Sequence, residues 1–443
     1  MATTPELAVE QQGRDHGLVR AMGVFAFAAA ITNEVVGAGI YTLPAKMASS
    51  AGTTAPYAYI ACLIAMGAVV LCFSEAGSRI STSGGPYGYV EAAFGKMLGF
   101  VAGVLLWLSA VLAAGGIAVA ATDMAGAAFP FLVQPVVREI LIVGLLAIMA
   151  GINIVGVDLA AKVLGWATMI KVLPLILFLV VGGIALAMGH RAEAPITHIP
   201  NANFGHAVIL AMFALTGMET PLAASGEVRD PARTVPRALI LAMGLIGLLY
   251  VAIQLIAATL FGAGLMHSAA PLADALGTID PRLRAPLLAG ACFSMVIWLG
   301  SDFLGAPRVL FAFARDGLLP AALGKVHPRW RTPHWAILVH FLFAVALALT
   351  GTFEQLAILS TLAIAPLYFL ACASAVILRS RGIATLGKPL SLPGIPVIAG
   401  FGMLCMAIMV ALADWNEIGA LAGVLVGSCL LYLVMRPRTP KQS

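Results

Sequence analysis

The stretch Asn33-Glu34-Val35-Val36-Gly37-Ala38-Gly39-Ile40, followed shortly by Pro44, decides how this chain folds. It lies inside an apolar run over residues 21–46, longer than the about 20 apolar residues that a bilayer-spanning helix needs. Gly37 and Gly39 flank a single alanine beside an acidic residue, and each glycine weakens a helix by roughly 1 kcal/mol relative to alanine. A second run, 205–225, is interrupted in the same way: Met212-Phe213-Ala214-Leu215-Thr216-Gly217-Met218-Glu219-Thr220-Pro221. Unwinding in lipid strands backbone N–H and C=O groups, which is tolerated only beside a cavity or a ligand. Glycines also serve close helix packing, but the matching break in the second run weighs against packing alone.

Working outward, the 443 residues are 61% hydrophobic and 10% charged. Soluble domains run at about 45–50% apolar and about 25% charged. A soluble multidomain protein, a disordered chain and a secreted disulfide scaffold are thereby excluded. Ten more apolar runs, 54–78, 97–122, 136–154, 160–188, 238–263, 285–314, 334–351, 355–378, 395–413 and 417–435, bring the total to twelve. The runs are apolar on every face, which disfavours a membrane β-barrel with its alternating strands. Of the 25 Lys and Arg residues, 19 fall on one side of the alternating loops and tails and 5 on the other, with Lys171 inside the fifth run. Cytoplasmic loops carry the excess of cations. Both termini, 1–20 and 436–443, are therefore expected in the cytoplasm, and the chain in the cell (inner or plasma) membrane. The sixth run follows the first by five spans, an odd offset that inverts the second copy.

The six cysteines sit within apolar runs without CxxC spacing and read as small buried residues. The histidines show no metal-ligand pattern, so no metal is expected. There is no GxxxxGK[ST] loop for ATP, and no HExxH or Ser/His/Asp grouping. An enzyme, a cofactor and a nucleic-acid partner are not expected. Interrupted helices in corresponding positions of two halves point to the substrate site of a secondary transporter. Freed N–H groups at a half-helix start face an anion and freed carbonyls a cation, so a small zwitterion suits both.

Five ionisable groups inside the runs stand out. Lys171 lies nine positions past Lys162, about 13 Å deeper along a helix, where a charged lysine costs about 2.5–3.5 kcal/mol. It can exchange a proton or stand in for a cation; the alternative is a snorkelling lysine or fixed counter-charge. Glu219 is either a proton-sensing carboxylate or a partner for backbone freed by the break. Asp302, one turn from Trp298, either faces a cationic substrate or pairs with Lys171 or lines an inner vestibule. Glu34 reads as structural, as does Glu75 at the end of the second run. Ala110 and Ala114 are expected to shape a pocket wall, Phe213, Trp107 and Trp298 to line it, and Ser360 and Thr361 to offer polar contacts.

Gly37-Ala38-Gly39-Ile40-Tyr41-Thr42-Leu43-Pro44 resembles the first helix of the amino acid–polyamine–organocation (APC) transporters. So do Ser83-Gly84-Gly85-Pro86-Tyr87-Gly88-Tyr89, residues Gly226 to Arg237 (GEVRDPARTVPR) and residues Arg308 to Pro320 (RVLFAFARDGLLP). The resemblance implies an all-α integral membrane protein of 12 transmembrane helices. It would form a LeuT-type 5+5 inverted repeat with helices 1 and 6 broken, plus two extra C-terminal helices. The core would span 21–378, with repeat one about 21–190 and repeat two about 205–378, and helices 11 and 12 would occupy 379–435. The implied activity is secondary transport of an L-amino acid, proton-coupled, by alternating access. The alternative is an exchanger for basic amino acids or polyamines. Lys171 favours symport; Glu219 and the stretch Ile152-Asn153-Ile154-Val155-Gly156 favour exchange. By the same resemblance, backbone at Gly37, Ala38 and Gly39, flanked by Val36 and Ile40, would hold the substrate carboxylate. Carbonyls at Phe213, Ala214 and Thr216, next to Gly217, would hold its amino group, with Phe213 as a gate. Lys171 and Glu219 would be the proton-coupling pair. Asp302 falls near a substrate-stacking aromatic of the basic amino acid antiporters. Protons and membrane lipids are the other expected partners, with the protein a monomer or homodimer.

Overall fold

The computed structural model describes residues 20–80, 85–155, 157–196, 202–223, 225–385 and 388–435, with backbone alone over 157–169. Ser83, Gly84, Gly156, residues 1–19 and 436–443 of the tails, and the Lys162 side chain, all invoked above, lie outside the described residues. The described chain is all helical, with one isolated bridge, Met22 to Val228, in place of any strand.

The helices are α1 (Val24–Val35), α2 (Gly39–Ala51), α3 (Ala55–Arg79), α4 (Gly85–Phe94), α5 (Lys96–Ala128), α6 (Pro135–Val155), α7 (Val157–Ala187), α8 (Phe204–Leu215) and α9 (Glu219–Leu222). They continue with α10 (Pro231–Phe261), α11 (Pro271–Gly277), α12 (Arg284–Gly305), α13 (Pro307–Arg315), α14 (His334–Thr350), α15 (Phe353–Ser380), α16 (Ile395–Ala411) and α17 (Trp415–Met435). Among the described residues, 8 helical stretches are long and apolar enough to cross a membrane. Four shorter apolar helices, α1, α8, α14 and α16, accompany them. The first and sixth apolar runs are each split in two, α1/α2 and α8/α9.

The run at 285–314, expected as one long helix, divides between Gly305 and Pro307. Proline has no N–H and its ring crowds the preceding turn. The Ala306 N–H still bonds the Asp302 carbonyl at 2.8 Å, so the hydrogen bonding runs on up to the proline.

Burial separates an inner set of helices from an outer one. α3, α5 and α15 are mostly buried, and α5 packs chiefly on α15. α6, α10, α14, α16 and α17 expose Ile140, Leu245, Leu342, Val397 and Val434 along their outer faces. Such a belt of large apolar side chains is stable only against lipid or another apolar surface. Of the charged groups that enter the interior, Glu75 is held on two sides. The Glu75 carboxylate is held by Arg79 at 2.7 Å and accepts from the Leu392 N–H at 2.9 Å. This ties the end of α3 to the segment before α16, a structural role in line with its sequence reading.

Candidate functional site

The first break is held open by side chains. Helix α1 stops at Val35, and its last carbonyls need other partners. The Thr32 carbonyl keeps the Val36 N–H at 2.9 Å. The Asn33 carbonyl accepts from Lys171 Nζ at 2.5 Å, and the Glu34 carbonyl from Trp298 Nε1 at 2.6 Å. The Val35 carbonyl accepts from the Tyr250 hydroxyl at 3.1 Å and the Gly37 N–H at 3.0 Å. Helices α7, α12 and α10 thus each send one donor into the gap. On the far side, the N–H groups of Ala38, Gly39 and Ile40 open α2 without a backbone partner.

The second break is built from a turn. Thr216 is extended, and its N–H and hydroxyl both donate to the Phe213 carbonyl, at 3.3 and 2.8 Å. Gly217 follows with φ +117°, outside the range of ordinary L residues. Helix α9 then begins at Glu219, whose Oε2 accepts from the Gly217 N–H at 3.2 Å and the Tyr368 hydroxyl at 2.7 Å.

The two breaks lie against each other reciprocally. A Cβ on Gly217, which opens the second half of one broken helix, would fall 2.7 Å from the Glu34 oxygen, which closes the first half of the other. A Cβ on Gly39, which opens α2, would fall 3.0 Å from the Ala214 Cα near the end of α8. Each glycine therefore admits the opposite backbone.

Between the breaks is a cavity of about 40 Å³, room for about three waters. Its wall includes Gly37, Ala38, Gly39, Ala110, Phe213, Ala214, Thr216, Gly217, Glu219, Trp298, Asp302 and Ser360. All but Ser360 come from the expected site set, and Ser360 was an expected polar contact. Glu34, Ser109, Ala113 and Thr220 also line it. Six expected residues do not. Val36, Ile40 and Ala114 are fully buried in packing, and Lys171 lies behind the wall, fully buried; Trp107 packs on His340 and Phe343, and the Thr361 hydroxyl bonds the Ala357 carbonyl. On α5 the wall is the 110/113 face; Ala114 is one residue, and so about 100°, further round. The Phe213 carbonyl, expected to meet an amino group, is already engaged by Thr216.

Three carboxylates reach this wall, each with a partner. Glu34 accepts a hydrogen bond from the Ser301 hydroxyl and lies within electrostatic reach of Lys171. Glu219 has Tyr368. Asp302 pairs with His340 at 2.9 Å, where Lys171 was one expected partner. Ser109 and Ser360 bond each other at 3.0 Å. Sequence reading missed His340, Tyr368, Tyr250 and Ser301. The single clue was a lone histidine in the middle of the ninth apolar run.

At the end carrying Lys46 and Arg138 is a second, wider cavity of about 460 Å³, lined also by Asp123, His267 and Glu354. Phe353 lines it and stacks edge-on against Phe213 at 5.8 Å. That aromatic pair stands between the two cavities. Glu354 binds Lys46 at 3.1 Å and His206 at 3.0 Å, joining α2, α8 and α15 at this mouth.

A sequence model described as amino acid permease matches residues 22–426. The chain belongs to the amino acid permease (APC) family. The branched-chain amino acid permease BcaP of Bacillus subtilis (strain 168) is 24% identical over 447 residues, 95% of this permease and 94% of its own length. The serine/threonine exchanger SteT of the same organism is 27% identical over 379 residues, 83% and 85% of the two chains. A cadaverine/lysine antiporter of Escherichia coli (strain K12) is 27% identical over 316 residues, 69% of each chain. This permease is a multi-pass membrane protein of a transporter family that includes both permeases and antiporters.

Tyr368→Phe tests the local account of Glu219. It removes one of two donors to a buried carboxylate, a loss of about 1.5–3 kcal/mol for a bond to a charged group. A lowered unfolding temperature in detergent with reduced uptake is the expected result, read by fluorescence-detected melting and labelled amino acid uptake.

Proposed function

We propose that this permease is a secondary transporter that moves an L-amino acid by alternating access, coupled to protons. Its twelve crossings would form a LeuT-type 5+5 inverted repeat, about 21–190 and 205–378, with helices 11 and 12 appended at 379–435 and both termini cytoplasmic. One observation carries the reading. The carbonyls that end α1 are capped by Lys171, Trp298 and Tyr250, while the N–H groups that open α2 at Ala38 and Gly39 reach the cavity uncapped. A helix N-terminus with free N–H groups favours an anion, here the substrate carboxylate. The substrate amino group would lie toward Ala214 and Thr216. The reciprocal packing of Gly39 on Ala214 and of Gly217 on Glu34 supports an inverted pair. Phe213 with Phe353 would be the gate toward the wider cavity, taken as the outer vestibule. Protonated Lys171 would hold the break through Asn33, and Glu219 would couple the second break to Tyr368.

A second reading, exchange of basic amino acids or amines, is favoured by the three carboxylates Glu34, Glu219 and Asp302 on one small cavity. Purified protein in liposomes separates the two. Labelled leucine, serine, threonine, lysine and cadaverine are offered to vesicles with an empty or a preloaded lumen, with and without an inward proton gradient. Gradient-driven entry into empty vesicles is expected. Entry only into preloaded vesicles establishes exchange, and no flux of any of the five overturns the transport reading.

A further inference from the structure

Asp302 and His340 form a pair that the carboxylate-holding and amine-holding roles above leave unused. Asp302, on α12, is on the cavity wall and 4% exposed. His340, on α14, is fully buried behind it, and its Nε2 meets Asp302 Oδ2 at 2.9 Å. The imidazole is otherwise walled by aromatic rings, Phe303 at 4.8 Å and Trp107 at 6.5 Å. Its Nδ1 has no hydrogen-bond partner among the described residues. An N–H at Nδ1 would be buried without an acceptor, so the neutral ring carries its proton on Nε2 and donates it to Asp302. In that form the pair has a net charge of −1.

The surroundings do not neutralise it. Asp302 interacts electrostatically with His340 and with Glu34. Glu34 interacts in turn with Lys171, which offsets it, and with Glu219. Asp302 is the one ion-pair partner of His340 among the described residues. Closing the cavity over a zwitterion, which brings no net charge, would therefore bury the negative charge of this pair without a cation beside it, which a low-dielectric interior strongly disfavours.

We propose that Asp302 and His340 are a proton-binding dyad of the transport cycle, which takes up one proton when the cavity closes over a neutral amino acid. The proton comes from water in the cavity, the pair passes from −1 to 0, and the bond between Oδ2 and Nε2 is kept. The proton belongs to the pair, not to either residue alone. A cationic substrate supplies the missing charge itself and takes up no proton. The dyad thus sets whether closure over a given substrate takes up a proton. This rests on the reading that amino acids bind between the two breaks.

The test is binding to purified protein in detergent, with leucine, serine and threonine as neutral probes and lysine and cadaverine as cationic ones. Calorimetry in phosphate and in Tris buffer gives the protons taken up per ligand. The expected result is about one proton per neutral amino acid, and an affinity that falls about tenfold per pH unit on the alkaline side. Asp302→Asn and His340→Gln are expected to bring proton uptake to near zero and flatten the pH profile. The wild-type measurement stands alone should a variant fail to fold: neutral binding without proton uptake overturns the dyad and leaves the transport reading intact. Proton uptake that persists in both folded variants also overturns it. If none of the five ligands binds, the transport reading itself fails.

Discussion

Gly217→Ala is expected to abolish uptake while leaving a folded, less stable protein. The reasons are independent and add. Gly217 sits at φ +117°, where a side chain is strained by about 1–3 kcal/mol. The new Cβ would also lie 2.7 Å from the Glu34 oxygen and 2.9 Å from its carbonyl carbon. That neighbour is backbone and cannot swing aside. To make room, the end of α1 must move away from α9 and would take the Trp298 bond to the Glu34 carbonyl with it. Both half-helix ends that face the cavity would then be displaced. A loss of about 3 kcal/mol is about a hundredfold in binding, so uptake should fall at least that far. Gly67→Ala is the control: Gly67 is in the middle of α3, and nothing lies within 4 Å of its added Cβ. Labelled uptake and melting temperature measured on both variants decide the matter. Uptake near wild type in Gly217→Ala would mean that the breaks need not touch.

The breaks themselves were legible in the sequence because glycine and proline interrupt an otherwise continuous apolar period, a local signal. Gly37, Gly39, Gly217 and Pro221 announce where helix ends, and the membrane environment says that such ends need a ligand or a cavity. What was not legible is who caps them. Trp298 and Tyr250 reach Glu34 and Val35 from more than two hundred residues away, and their arrival depends on how α12 and α10 are rotated. Nearly uniform apolar helices give no periodic marker of rotation, since lipid-facing and core-facing residues are chemically alike. The same ambiguity explains the choice of Ala114 on α5, where the cavity is lined by Ala110 and Ala113. It also explains why the sequence offers a cationic substrate, Lys171 or an inner vestibule for Asp302, and not His340 on a neighbouring helix. Glu34 was read as structural although it lines the cavity; its position immediately before the break was the available clue.

Lys171→Ala is expected to remove acid-driven accumulation altogether. Lys171 is fully buried, its ammonium bonds the Asn33 carbonyl at 2.5 Å, and its main-chain carbonyl accepts from the Tyr41 hydroxyl at 3.1 Å. The side chain thus fastens α7 to the last turn of α1, and the backbone fastens it to α2. Truncation leaves a buried carbonyl without its donor and Glu34 without its positive neighbour. Losing a bond from a charged donor to a buried carbonyl costs about 1.5–3 kcal/mol, enough to misplace the break. Alanine alone would not separate holding the break from handling a proton, because it removes both. Lys171→Arg does separate them, since a guanidinium keeps the donors and the charge but is not deprotonated in proteins. If Lys171 only holds the break, Lys171→Arg should keep gradient-driven accumulation at a reduced rate. If its deprotonation is a step of the cycle, Lys171→Arg should retain exchange into preloaded vesicles and lose accumulation in response to an inward proton gradient. The second pattern is the expected one, because a lysine this deep with a single short bond to a backbone carbonyl can release that carbonyl only by moving or by losing its charge. Acid stimulation that survives in Lys171→Ala liposomes would remove Lys171 from the coupling, and the proton would then have to be carried at the cavity wall alone.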